Sequence, residues 1–196
     1  MSELNVITGT MNGGKSLEII SKHYDAVQSN ANVLCLKPSV DTRDVGVIKS
    51  RIGLEVPCYQ FDKDVNLFAF VYGRNLVEKI DKIMVDESQF ITKEQAHELH
   101  KVATMLDIPV DCYGLKISFT GDGFDGMKEL LTLTKEPRVI KSTCRRCKGE
   151  ATHHLLKVNG KYVFNSLSNV FIGDAEYTSV CAKCWYEEKD RSEGLL

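Results

Sequence analysis

Gly9-Thr10-Met11-Asn12-Gly13-Gly14-Lys15-Ser16 is the stretch on which the reading of this chain turns. It matches G-x-x-x-x-G-K-[ST], the phosphate-binding loop. Each fixed position has a chemical reason. Glycines let backbone N–H groups turn inward around phosphate oxygens. Lys15 reaches the β- and γ-phosphates, and the Ser16 hydroxyl can ligate Mg²⁺. The flanks agree with the motif. Asn5-Val6-Ile7 reads as a short buried strand, and Ser16 to Ala26 as a helix with Leu17, Ile19 and Ile20 among its apolar positions. Strand, loop and helix N-terminus together aim backbone donors and the helix dipole at one anion. The stretch therefore predicts a site for a nucleoside triphosphate with Mg²⁺, through Gly9, Met11, Asn12, Gly13, Gly14, Lys15 and Ser16.

Further along, Asn32 to Leu36 reads as a buried strand ended by Lys37-Pro38-Ser39. Arg51 to Tyr59 alternates weakly, as an edge strand would. Val65 to Ile80 carries apolar residues at helical spacing. Ile83-Met84-Val85 is a continuous apolar run ending in Asp86-Glu87, the pattern of a central parallel strand. Thr92 is an N-cap for a helix to about Leu106. Pro109 to Tyr113 is a strand, Thr120 to Gly126 a glycine-rich loop, Lys128 to Thr134 a short helix, and Arg138 to Thr143 a strand. This alternation predicts an α/β domain with a central parallel sheet over residues 1–143. After it the pattern changes to short strands, a hairpin signal at Asn159-Gly160 and a terminal helix from about Ala182.

A hydrophobic strand that ends in an acid is the usual companion of a phosphate loop. Asp86 is expected beside Ser16, holding Mg²⁺ directly or through water. Glu87 follows it, and a carboxylate there can accept a proton from an attacking oxygen. That oxygen belongs to water in an ATPase and to a substrate hydroxyl in a kinase. The Asp-Glu pair does not separate the two.

Of seven cysteines, Cys35, Cys58 and Cys112 stand alone in apolar stretches and read as small buried hydrophobes. The other four form Cys144-x-x-Cys147 and Cys181-x-x-Cys184. Two such knuckles complete a tetrahedral, closed, structural Zn²⁺ site, and residues 144–196 are expected to form a small zinc-ribbon unit around it. Paired redox thiols are the rival reading. The excursion from Lys148 to Val180 is either a loop pinned by the metal that closes over a small flat ligand, or a ribbon that packs on the main domain. His153 and His154 fall off the ligand pattern and read as surface or strand residues. Arg145, Arg146 and Lys148 read as solvated charge rather than a nucleic-acid contact.

The 196 residues carry a net charge of −2, which gives no global attraction to nucleic acid or anionic membrane. No apolar run approaches the roughly 18–20 residues of a membrane span. Met1-Ser2-Glu3-Leu4 lacks the features of a signal peptide, so a soluble, cytoplasmic protein is expected.

These residues together resemble the type II, zinc-containing thymidine kinases, especially bacterial and bacteriophage members. The resemblance runs from Leu4 to about Glu187. It is carried by Gly9 to Ser16 with Met11, Lys37-Pro38, Asp41-Thr42-Arg43, Ser50-Arg51-Ile52-Gly53, Val85-Asp86-Glu87 with Gln89-Phe90, Tyr113-Gly114-Leu115, Phe119, Phe124, both cysteine pairs, and Ile172-Gly173 with Tyr177. It implies a RecA-like fold and ATP-dependent phosphorylation of the thymidine 5′-hydroxyl. By resemblance Glu87 is the general base, Arg43 stabilises the moving phosphoryl group alongside Lys15, and Asp41 helps organise Mg²⁺. Gln89 belongs by the same resemblance to the nucleotide site. Met11, Leu115, Phe119, Phe124, Ile172, Gly173 and Tyr177 match positions around the base, under a loop called the lasso. Homotetramers and feedback inhibition by dTTP are common in that family. Two departures, Asp174 directly after Gly173 and Lys116-Ile117-Ser118 before the phenylalanine, lie around the base pocket. A deoxynucleoside kinase of broader base choice and a zinc-ribbon ATPase that binds nucleic acid are the competing functions.

Overall fold

The computed structural model describes residues 2–42, 44–166 and 175–195. Its centre is a six-stranded, all-parallel sheet. The strands are β1 (Leu4–Gly9), β2 (Val33–Pro38), β5 (Tyr59–Phe61), β6 (Lys82–Val85), β7 (Val110–Gly114) and β8 (Arg138–Ile140), in the order β5-β2-β6-β7-β1-β8. Register pairs Val6 with Cys112, Ile83 with Val110, and Cys35 with Met84. Both faces are covered, which explains why the strands read as continuous apolar runs rather than alternating ones.

The strand alternation sends neighbouring side chains to opposite layers. Val6, Leu36, Ile83, Val85 and Cys112 point into one core with α2 (Leu67–Val77), α3 (Lys93–Met105) and α4 (Asp125–Leu133). Ile7, Cys35, Met84 and Tyr113 point into the other, against Ile19 and Ile20 of α1 (Lys15–Gln28). Sequence explains the helix starts. Asn66 caps α2 by accepting the Ala69 N–H. Thr92 and Gln95 form a reciprocal capping box at α3.

Arg51 to Tyr59 is not one edge strand. Ser50 to Leu54 makes a turn, with the Gly53 N–H on Ser50 O and the Ser50 N–H on Leu54 O, and Gly53 at φ 89°. That turn joins β3 (Val47–Lys49) to β4 (Glu55–Pro57), a separate antiparallel hairpin packed on α1, and Pro57 closes it because it has no N–H to continue the ladder. The edge of the main sheet is β5, just beyond. Gly126 also departs from the expected loop: it lies in the first turn of α4. A Cβ there would sit 2.1 Å from Ile91 O, so only glycine lets α4 approach the 3₁₀ turn Ser88–Phe90 that follows Glu87. Gly126→Ala is expected to cost about 3 kcal/mol in urea unfolding, since the clash is with backbone. The small gain that Ala brings to an ordinary helix position would refute the close-approach account.

The remaining strands, β9 (His153–Val158), β10 (Lys161–Val163) and β11 (Glu176–Val180), form a small antiparallel sheet in the order β10-β9-β11. Asn159 and Gly160 both have positive φ, as the hairpin signal requires. One face of this sheet packs on α5 (Ala182–Ser192), around a core of Leu155, Phe164, Val180 and Trp185. Among the described residues no helix is long and apolar enough to cross a membrane.

Candidate active site

The loop between β1 and α1 is shaped for an anion. Asn12 and Gly14 have positive φ, and Gly14 at φ 93° is the N-cap of α1, so the helix's first amides open towards the loop. Gly13 is required for a different reason: a Cβ there would lie 2.9 Å from Thr10 O. Lys15 is buried, and its ammonium donates to the carbonyls of Thr10 (2.8 Å) and Gly9 (3.4 Å).

β6 delivers the acids. Ser16 Oγ–H donates to Asp86 Oδ2 at 3.0 Å, and the Glu87 N–H donates to Asp86 Oδ1 at 2.9 Å. Glu87 turns into the left-handed region at φ 49°, a conformation that costs a non-glycine residue on the order of 1 kcal/mol and is found mainly at functional sites. That turn is why two consecutive acids both face one cleft. Burial and the neighbouring Glu87 carboxylate push Asp86 up to about 7, against the pull of the Glu87 N–H, Lys15 and Ser16. Gln89 is held at both ends: its Oε1 accepts the Leu115 N–H at 3.0 Å and its Nε2 donates to Glu87 Oε2. It thus contacts the carboxylate rather than the cleft wall.

The cleft has a volume of about 510 Å³. Met11 to Leu17, Lys37, Asp41, Asp44, Ile48 to Gly53, Asp86, Glu87 and Leu115 line it. Lys37 carries no assigned role in the sequence reading. It is 2% exposed, its ammonium lies 3.4 Å from Asp41 Oδ2, and it donates to Asp44 O and Val47 O. Its position at the carboxyl end of a parallel strand, where open α/β sheets bind ligands, was the available signal. The turn Ser50–Gly53 faces the phosphate loop across the same cleft.

Met11, Leu115 and Phe124 share one apolar cluster, and Phe124 meets Phe90 edge-on at 5.7 Å between ring centroids. Phe119 is buried beside the small sheet, its carbonyl accepting Trp185 Nε1–H at 3.2 Å. Tyr177 lies on β11. Phe119, Phe124 and Tyr177 are not among the described residues lining the cleft. Arg43, Ile172 and Gly173 lie outside the described residues.

The oxygen set of Ser16, Asp86 and Asp41 suits a hard cation such as Mg²⁺. The four knuckle cysteines are free thiols whose Sγ atoms all lie within 4.8 Å of one another, and Cys147 Sγ is 3.5 Å from Cys181 Sγ. A tetrahedron of thiolates about 2.3 Å from zinc has edges of about 3.8 Å, so the cluster fits that metal. Burial works against the Cys144 thiolate, yet backbone N–H donors from Cys147, Cys181 and Arg146 bring that thiol down to about 6.

The inner face of the small sheet meets the loop. His154 on β9 pairs with Ser179 on β11. His154 is 2% exposed, and its Nδ1 has no hydrogen-bond partner among the described residues. Burial, then the charge of Lys15 and His153, pull it down to about 3, against a hydrogen bond to the Ile117 backbone. An unfolded chain takes up this proton near 6.5, so His154 costs stability as pH falls from about 6.5 towards 3. Asp86 acts in the opposite sense: the folded state takes up its proton near 7 and the unfolded state near 3.8, so falling pH stabilises through it. His154→Leu should therefore gain about 2 kcal/mol relative to the parent chain between pH 8 and pH 5 in urea titrations. A difference independent of pH would refute the neutral, buried imidazole.

The family model described as thymidine kinase matches residues 2–185. A thymidine kinase of Streptococcus gordonii is 34% identical over 188 residues, covering 95% of this chain and 97% of that one. A thymidine kinase of Streptococcus thermophilus is 34% identical over 187 residues, 95% and 94% of the two chains. A thymidine kinase of Encephalitozoon cuniculi is 36% identical over 200 residues, 97% of this chain and 90% of its own.

Proposed function

We propose, for a chain that belongs to the thymidine kinase family, transfer of the γ-phosphoryl group of ATP to the 5′-hydroxyl of thymidine, giving dTMP and ADP. The enzyme is a phosphotransferase. One observation carries the mechanism: a carboxylate, Glu87, opens into the cleft immediately beyond the Ser16–Asp86 pair and beside the phosphate loop. A loose, metaphosphate-like transition state needs positioning and charge neutralisation more than covalent help. The loop amides and Lys15 supply both to the phosphates, and Arg43 adds charge at the transferring group. Lys15 exchanges the Thr10 and Gly9 carbonyls for phosphate oxygens. Glu87 takes the proton of the 5′-hydroxyl as its oxygen bonds to the γ-phosphorus and the bond to the ADP oxygen breaks.

Ser16, Asp86 and Asp41 are the residues that would hold Mg²⁺, whose charge, when bound, offsets that of the β- and γ-phosphates. Cys144, Cys147, Cys181 and Cys184 would hold a structural Zn²⁺. Met11, Leu115, Phe119, Phe124, Ile172, Gly173 and Tyr177 would enclose the thymine. Residues 1–143 serve as the nucleotide-binding domain and 144–196 as the unit that closes over the nucleoside. A cytoplasmic homotetramer inhibited by dTTP belongs to the same reading.

The test is ADP release with MgATP and, separately, thymidine, deoxyuridine, deoxycytidine, deoxyadenosine or deoxyguanosine, beside a tube with no nucleoside. Turnover with thymidine and deoxyuridine alone is expected. Turnover with several bases would replace this reading with a broader deoxynucleoside kinase. Equal turnover in every tube would make the chain an ATPase.

A further inference from the structure

We propose that the cysteine cluster positions the phosphate loop itself, so that metal occupancy and nucleotide binding are thermodynamically coupled. The link is two serines at the same offset. Ser142 stands two residues before Cys144, and Ser179 stands two residues before Cys181. The Ser142 and Thr10 hydroxyls share a hydrogen bond of 2.5 Å. Ser179 Oγ–H donates to Met11 O at 2.7 Å. Each knuckle thus reaches one of two consecutive residues of the phosphate loop.

The residues gripped are the ones on which the loop turns. Thr10 O accepts from the Lys15 ammonium and from the Gly13 N–H at 3.1 Å. Thr10 also sits where a side chain on Gly13 would clash. The backbone of both serines is tied in turn to the cluster. The Arg145 N–H, inside the first knuckle, donates to Ser179 O at 3.0 Å. The Ala151 N–H donates to Ser142 O at 2.8 Å, and the Thr152 N–H to Val180 O at 2.9 Å. Hydrogen bonds therefore run from the first knuckle to the strand that carries the second, and from both to the loop. Ser179 is 7% exposed, so water competes little for its bond to Met11. Four thiolates on one ion fix the relative positions of the two serines. Without the ion, only hydrogen bonds and the small core relate the two segments that hold Thr10 and Met11.

Ser142 and Ser179 are positioning residues in this account. A polar seam that only added stability would leave metal and nucleotide affinities independent. Coupling makes them reciprocal: if metal tightens nucleotide binding, nucleotide tightens metal binding by the same factor. The inference rests on the four-thiolate metal reading above.

The experiment uses the full-length zinc-loaded protein. Zinc content is measured first. Zinc affinity is then measured by competition with a chromogenic chelator, with and without MgADP and with no nucleoside present. MgADP is expected to tighten zinc about tenfold in the parent chain. In S142A/S179A the effect should shrink to less than about twofold, while the single variants fall between. S142T and S179T, which keep the hydroxyls, should retain it, and this separates coupling from a folding defect in the double variant. Equal MgADP effects in parent and double variant, or none in the parent, would overturn the proposal with the zinc site intact. Protein with no bound zinc would overturn the metal reading and this coupling with it.

Discussion

Glu87→Gln is expected to lower turnover with MgATP and thymidine by about 10³-fold while MgADP affinity stays within about twofold. The substitution keeps size and shape and removes the negative charge together with the capacity to take a proton. The Ser16–Asp86 hydrogen bond belongs to neighbouring groups and stays in place, and the left-handed backbone at position 87 does not depend on which of the two side chains it carries. Gln89 is the internal control. Its Nε2 donates to Glu87 Oε2 while its Oε1 is occupied by the Leu115 N–H, so it orients the carboxylate. A glutamine at position 87 still offers an oxygen to that donor. The measurement is steady-state ADP release beside equilibrium binding of MgADP. A variant that kept turnover within tenfold would remove Glu87 as the base and return the Asp-Glu pair to a purely metal-holding role.

The second large effect is expected from Cys144→Ser. Cys144 is fully buried and belongs to the small core with Ala151, Leu155, Phe164, Val180, Cys184 and Trp185. A core of that size does not hold its own fold. Structural zinc contributes on the order of 10 kcal/mol to such units. Losing one thiolate is expected to drop zinc from about one ion per chain to a small fraction of that. The chain carries a single tryptophan, Trp185. It is buried in this core and bonded to Phe119 O, so its emission reports the unit and its contact with the main domain. The emission should shift to the red in the variant and on chelation of the parent protein. A parent protein that binds no zinc would end the four-thiolate reading. So would a variant that keeps both its zinc and its buried tryptophan spectrum.

Much of the site was legible because its chemistry is local. The phosphate loop, the acid pair after an apolar strand and the paired cysteines are each contiguous motifs whose spacing follows from bond geometry. The hairpin at Asn159-Gly160 was legible for the same reason, since both turn residues tolerate positive φ. The segment after Arg51 was misread because a weak alternation does not distinguish one edge strand from a hairpin, and the turn at Gly53 decides it. Gly126 was misread because a loop glycine and a close-approach glycine look alike in sequence. Only the Ile91 carbonyl beside it reveals the difference.

The sequence by itself determined the nucleotide chemistry, the parallel α/β architecture and the four-cysteine cluster. Those depend on residue types at short spacing and on hydrophobic period. Tertiary structure alone decided which distant groups meet. It buried His154 as a neutral imidazole within reach of the Lys15 charge, and brought Ser142 and Ser179 onto Thr10 and Met11. The last two contacts join residues 132 and 168 positions apart. No periodicity or motif encodes such a meeting, because it follows from how the small antiparallel sheet, with its own core, packs against the phosphate loop that leaves the parallel sheet.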